Sequence, residues 1–138
     1  MQKIIKILAI DKEEIILKSI KKALKNDSNI DYIITACNTA LNGLKLIRSD
    51  TFDIVFVDLV LPGMNGIEVL RRIKNIYPAV SVIIMSGFAS IGITPDSNVN
   101  SNSSNKFING AEGFLLKPFT TEEIKSVIAN VLIRNKNI

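Results

Sequence analysis

The sequence predicts one α/β domain, a parallel five-stranded sheet with helices on both faces. Three observations carry this. Short, nearly all-apolar runs alternate from end to end with segments whose apolar residues recur every three or four positions. The runs lack polar alternation, as expected of strands covered on both faces. Four of them close on a reactive side chain, namely Asp11, Asp58, Ser86 and Lys117.

Residues 4–10 read as the first strand, and 13–25 as a helix with Ile16, Leu17, Ile20 and Leu24 at helical spacing. A second strand runs from Asp31 to Ala36. Thr39 then caps a helix carrying Leu41, Leu44 and Ile47. Asp53 to Val57 is the third strand, and Asp58 follows it into the turn Leu61-Pro62-Gly63-Met64-Asn65-Gly66. Gly66 to Ile76 is a helix carrying Ile67, Leu70 and Ile73, stopped by Pro78. Val80 to Met85 is the fourth strand and Phe114 to Leu116 a short fifth. Thr120-Thr121-Glu122-Glu123 caps a last helix with Ile124, Val127, Ile128 and Val131 inward. Right-handed crossovers make this a doubly wound (βα)5 sandwich of flavodoxin-like order 2-1-3-4-5. In that order strands one and three are neighbours, so Asp11 and Asp58 meet at the switch point, where ligands of such sheets bind.

One stretch breaks the rhythm. Asp96 to Asn105 is almost entirely Asp, Asn and Ser, which cannot bury enough surface to order itself. An Asn/Ser-rich insertion is therefore expected over about 91–105, with the fourth helix reduced to about 106–109.

Bulk properties fit a single domain over 1–138 and exclude several functions. Hydrophobic residues make up 47% and charged residues 22%, a globular balance. No apolar stretch is long enough to span a bilayer, and Met1 to Lys6 lacks a signal-peptide pattern, so no membrane partner is expected. Lone Cys37 suits a reducing cytoplasm and reads as a small buried apolar group. The net charge of +4 comes from scattered lysines such as Lys18, Lys21, Lys22 and Lys25. No aromatic residues interleave with them, so no nucleic-acid surface is expected. With no histidine, His-ligated metals and His general bases are excluded.

The strand ends carry chemistry. Two carboxylates beside a lysine and a hydroxyl suit attack on a phosphoryl group, giving an aspartyl phosphate at Asp58. Such transfer needs chiefly positioning and charge neutralisation. Lys117 and Ser86 would contact the phosphoryl oxygens.

The segments Ile7 to Glu13, Asp53 to Gly66, Val82 to Gly87 and Gly113 to Phe119 together resemble the receiver domain of bacterial two-component response regulators. The resemblance spans nearly the whole chain outside about 90–106. It implies that Asp58 accepts phosphate from a sensor histidine kinase or phosphotransfer protein and that an unknown effector reads the result. It implies that Asp11, Asp58 and the Val60 carbonyl hold Mg²⁺, that Ser86 and Phe114 switch, that Lys117 pairs with the phosphoryl group and that the Lys117–Pro118 bond is cis. Such a domain is a switch that assists only its own phosphoryl chemistry, not an enzyme.

One position departs from the pattern. Receivers carry two adjacent acids after the first strand, whereas Asp11 is followed here by Lys12. Asp11 and Asp58 against Lys12 and Lys117 sum to zero without a metal, which predicts weakened or absent Mg²⁺ binding. Two arrangements are open: the Lys12 ammonium enters the metal position, or it snorkels outward. Glu13 could substitute for the missing acid, though helix geometry is expected to point it elsewhere. Lys12 and the insertion also support an alternative, a receiver-like interaction domain independent of Mg²⁺ and phosphate. A third reading, a flavodoxin-like flavin or nucleotide binder, is disfavoured because no Gly-rich phosphate loop follows the first strand here and Asp11-Lys12-Glu13 would repel phosphates. The altered region after the fourth strand predicts weak dimerisation and a mostly monomeric domain. The chain ends soon after the last helix, as a standalone receiver or a piece of a longer regulator would.

Overall fold

The computed structural model describes residues 3–27, 29–87 and 109–136. The elements run β1 (Lys3–Ile10), α1 (Glu14–Leu24), β2 (Ile30–Cys37), α2 (Ala40–Ser49), β3 (Ile54–Asp58), α3 (Gly66–Ile76), β4 (Ser81–Gly87), β5 (Gly113–Lys117) and α4 (Thr121–Lys136). The sheet is parallel throughout, in the order β2-β1-β3-β4-β5. The insertion expected at about 91–105 and most of the short helix expected after it lie outside the described residues. Of that helix only Asn109 is described, and it sits in a turn.

Alternation along each strand builds two cores. Ile5, Ile7, Phe56, Ile83 and Met85 pack with Leu17 and Ile20 of α1 and with Ile124, Ile128 and Val131 of α4. Leu8, Ile10, Val55, Val57 and Ile84 pack with Leu44 and Ile47 of α2 and with Val69, Leu70 and Ile73 of α3. Ile54, Val55, Phe56 and Val57 of β3 are fully buried. At about 1.5–3 kcal/mol for each such side chain, this strand alone removes roughly 6–12 kcal/mol of apolar exposure from water.

The helices start where the sequence signals. Thr39 accepts from the Asn42 amide at 3.1 Å, and Asn65 accepts from the Glu68 amide at 2.9 Å. Thr120 and Glu123 form a reciprocal capping box, with bonds of 3.1 and 3.0 Å. Leu41 corrects the inward set expected for α2, because it is 62% exposed while Ala40, Gly43, Leu44 and Ile47 are buried. Cys37 is only half-buried. No helix among the described residues is long and apolar enough to cross a membrane.

Candidate functional site

Strand register assembles the site. Ile10 pairs with Val57, so the next residues, Asp11 and Asp58, stand side by side at the carboxyl edge. Asp58 pairs with Met85 and Gly87 with Lys117, which bring β4 and β5 to the same edge. Asp11, Asp58 and Ser86 are all buried.

The β3–α3 connection is drawn tight over this edge. The Leu59 amide donates to the Met85 carbonyl at 2.8 Å, and the Gly66 amide to the Leu59 carbonyl at 2.7 Å. A Cβ on Gly66 would lie 2.4 Å from the Asp58 carbonyl oxygen and 2.8 Å from the Leu59 Cα. Only glycine lets the start of α3 approach so closely. Gly63, at φ +79°, completes the turn.

Five charged side chains converge there. Lys117 Nζ lies 2.7 Å from Asp11 Oδ2, 3.1 Å from Glu13 Oε1 and 3.4 Å from Asp58 Oδ2. Lys12 Nζ lies 3.0 Å from Asp58 Oδ2 and donates to the Val60 carbonyl at 2.7 Å. Asp11 Oδ1 accepts the Glu13 amide at 2.9 Å. The Lys117 contact to Asp11 Oδ2 is an ion pair without hydrogen-bond alignment, and that oxygen accepts no hydrogen bond among the described residues. Asp58 Oδ1 accepts the Val60 amide at 3.3 Å. The Lys117–Pro118 bond is cis.

Burial sets the electrostatics. It pushes the Asp11 carboxyl above its ordinary value, and neither the Lys117 ammonium nor the Glu13 amide cancels the effect. Burial would pull Lys117 down, but Asp11 first, then Glu13 and Asp58, outweigh it and hold the ammonium above its usual range. Lys117 therefore stays charged at neutral pH.

The expected residues are only partly gathered. Asp11, Lys12, Asp58, Val60 and Lys117 meet. Ser86 stands on the adjoining strand, with its hydroxyl donating to its own neighbour, the Gly87 carbonyl, at 3.1 Å. Phe114 is half-buried against the α2/α3 core. Of the two arrangements open to Lys12, the structure has the inward one, because the Val60 carbonyl and Asp58 both accept its ammonium. One expectation changes. Glu13, expected to point elsewhere, joins the site, since as the N-cap of α1 it has extended backbone (φ −97°, ψ 111°) and not helical backbone. Carboxylate oxygens of Asp11, Glu13 and Asp58 lie within 4.8 Å of one another. Three carboxylates against two ammonium groups leave a net charge of −1, not the zero expected without Glu13.

Comparison with known proteins agrees with this fold. The response regulator receiver domain family matches residues 7–129. The chain is 30% identical to sporulation initiation phosphotransferase F of Bacillus subtilis, over 70% of this chain and 71% of that protein. It is 29% identical to the transcriptional regulatory protein ZraR of Klebsiella oxytoca over 76% of its own length, but spans only 22% of ZraR. A response regulator receiver domain protein from Clostridium thermocellum superposes with a TM-score of 0.77 at 30% identity, covering 96% of this chain and 97% of that one. On its fold, the cluster at its carboxyl edge and these relatives, the chain belongs to the receiver domain family of two-component response regulators.

Proposed function

We propose that Asp58 is the phosphoacceptor of this receiver. The observation that carries the reading is the position of its carboxylate, buried at the end of β3 with ammonium groups 3.0 and 3.4 Å from one oxygen. A carboxylate so flanked is held in place for attack on phosphorus, and the same cations neutralise the phosphoryl oxygens. The donor is a phosphohistidine on a sensor kinase or phosphotransfer protein. Once Asp58 is phosphorylated, Lys117 pairs with the new group. Ser86 turns its hydroxyl from the Gly87 carbonyl toward it, and Phe114 follows inward. A downstream effector reads that change. The domain, 1–138, works in the cytoplasm, mostly as a monomer, and catalyses nothing beyond its own phosphorylation and dephosphorylation.

The oxygen donors suit a hard divalent cation in type and spacing. Mg²⁺ would be held by Asp11, Asp58 and the Val60 carbonyl, with Glu13 as a further acid, once the Lys12 ammonium left the Asp58 and Val60 oxygens, and when bound it supplies charge neutralisation at the phosphoryl oxygens.

Treatment with acetyl phosphate, read by intact mass, tests the assignment. One phosphoryl adduct is expected on the parent chain and none on Asp58→Asn. An adduct that persists in Asp58→Asn would overturn the reading.

A further inference from the structure

We propose that the Lys12 ammonium is the resident cation of this site, so that Asp58 takes up a phosphoryl group without a divalent metal and Mg²⁺ competes with Lys12. The inference rests on Asp58 being the phosphoacceptor. It starts from two distances. Lys12 Nζ is 2.7 Å from the Val60 carbonyl and 3.0 Å from Asp58 Oδ2. Those are two of the oxygens a metal between β1 and β3 would require. A divalent ion there must dislodge the ammonium and leave it beside a dication, where it is repelled.

The division of labour between the two lysines supports the same conclusion. Lys117 is drawn away from Asp58 by Asp11 and Glu13, at 2.7 and 3.1 Å, and stays 3.4 Å from Asp58 Oδ2. Lys12 is the nearer cation. Its side chain is 41% exposed, so the stem crosses from solvent while the head is fixed by a carbonyl and a carboxylate. An ammonium held this way is a preorganised positive charge at the point where phosphoryl charge must be neutralised.

The step balances without metal or proton transfer. A carboxylate oxygen of Asp58 attacks the phosphorus of acetyl phosphate. The bond from phosphorus to the acetyl oxygen breaks, and acetate leaves with the electron pair. Lys12 and Lys117 remain charged throughout.

The test follows adduct formation by intact mass with acetyl phosphate, in EDTA and in excess Mg²⁺. Calorimetric titration with Mg²⁺ alone runs alongside. The parent chain should label at rates within about threefold in the two buffers and bind Mg²⁺ at least about tenfold more weakly than Lys12→Asp. Lys12→Asp should require Mg²⁺ for labelling, and Lys12→Gln should label slowly in EDTA. Parent labelling that is abolished by EDTA and restored by Mg²⁺ would overturn the proposal and leave Asp58 as the acceptor. Equal Mg²⁺ affinity in the parent and Lys12→Asp would overturn it independently of labelling. No adduct on the parent in either buffer would overturn the Asp58 assignment together with this proposal.

Discussion

The two edges of the sheet handle charge in opposite ways. At the amino edge, ions serve the backbone. Lys74 bonds Glu112 and donates to the Val80 carbonyl at 2.7 Å. Arg134 donates to the Glu112 carbonyl at 3.0 Å, and Asp53 accepts the Lys6 amide at 2.9 Å. The Lys6 ammonium pairs with Asp50 and lies 5.6 Å over the Phe52 ring. These pairs close loops where charge and backbone need are matched. At the carboxyl edge, three carboxylates share two ammonium groups, and one buried oxygen of Asp11 accepts no hydrogen bond among the described residues. The matched edge holds the chain together, whereas the unmatched edge is poised to take in another charged group.

The strongest way to break the contrast is to remove a cation from each edge. Lys117→Met leaves buried Asp11 without its partner and should destabilise the fold by about 3–5 kcal/mol at neutral pH, measured by urea unfolding. The deficit should depend on pH. Asp11 already has a folded value above the ordinary 3.8, and losing Lys117 raises it further. A group whose pKa rises on folding adds stability as pH falls through the folded value and loses it as pH climbs back. The gap between variant and parent should therefore narrow on acidification toward 3.8. A gap independent of pH would show that Asp11 is not the group left unpaired.

Gly66→Ala tests whether the carboxyl edge depends on tight backbone approach. The new methyl meets backbone, which cannot swing aside, so a loss of about 1–3 kcal/mol is expected in the same assay. Wild-type stability would mean that the β3–α3 connection is free to shift.

At the amino edge, Lys74→Met should cost less, about 0.5–1.5 kcal/mol, because its partner Glu112 is partly solvated. Burial also lowers the pKa of Lys74. A loss as large as that of Lys117→Met would erase the distinction between the edges.

A last test, of reactivity and not of stability, concerns Cys37, which also ends a strand on the carboxyl edge and whose carbonyl accepts the Asp11 amide at 3.1 Å. Burial pushes its thiol from 9.0 up to about 11. The thiolate fraction at pH 8 should then be about a hundredfold below that of an unperturbed thiol, with alkylation slowed accordingly. Rapid alkylation would show that the edge is open well beyond the Asp11–Asp58 crevice.

Much of this was legible before any coordinates. Continuous apolar runs such as Ile54 to Val57 fix buried parallel strands, and their last residues place Asp11, Asp58, Ser86 and Lys117 on one edge. Thr39 and Thr120 announce their helices because a hydroxyl before an apolar period has one evident use. Lys12 and Glu13 were harder. A lysine stem reaches solvent or site equally well, and the choice falls to the Val60 carbonyl, 48 residues away. Glu13 looks helical by position, yet as an N-cap it has extended backbone that turns the carboxylate inward. Leu41 fits the helical period only loosely, and spacing alone does not show which side of the first turn is covered.

The inward turn of Glu13 couples two neighbouring positions through charge. An acid at position 12 would leave Asp11, Glu13, Asp58 and that acid against Lys117 alone, a net charge of −3. Crowding like charges in one pocket costs stability unless a cation offsets them. A double-mutant cycle of Lys12→Asp with Glu13→Gln, unfolded in EDTA, is expected to show the coupling as non-additive stability. Strict additivity would mean that the two side chains do not sense each other.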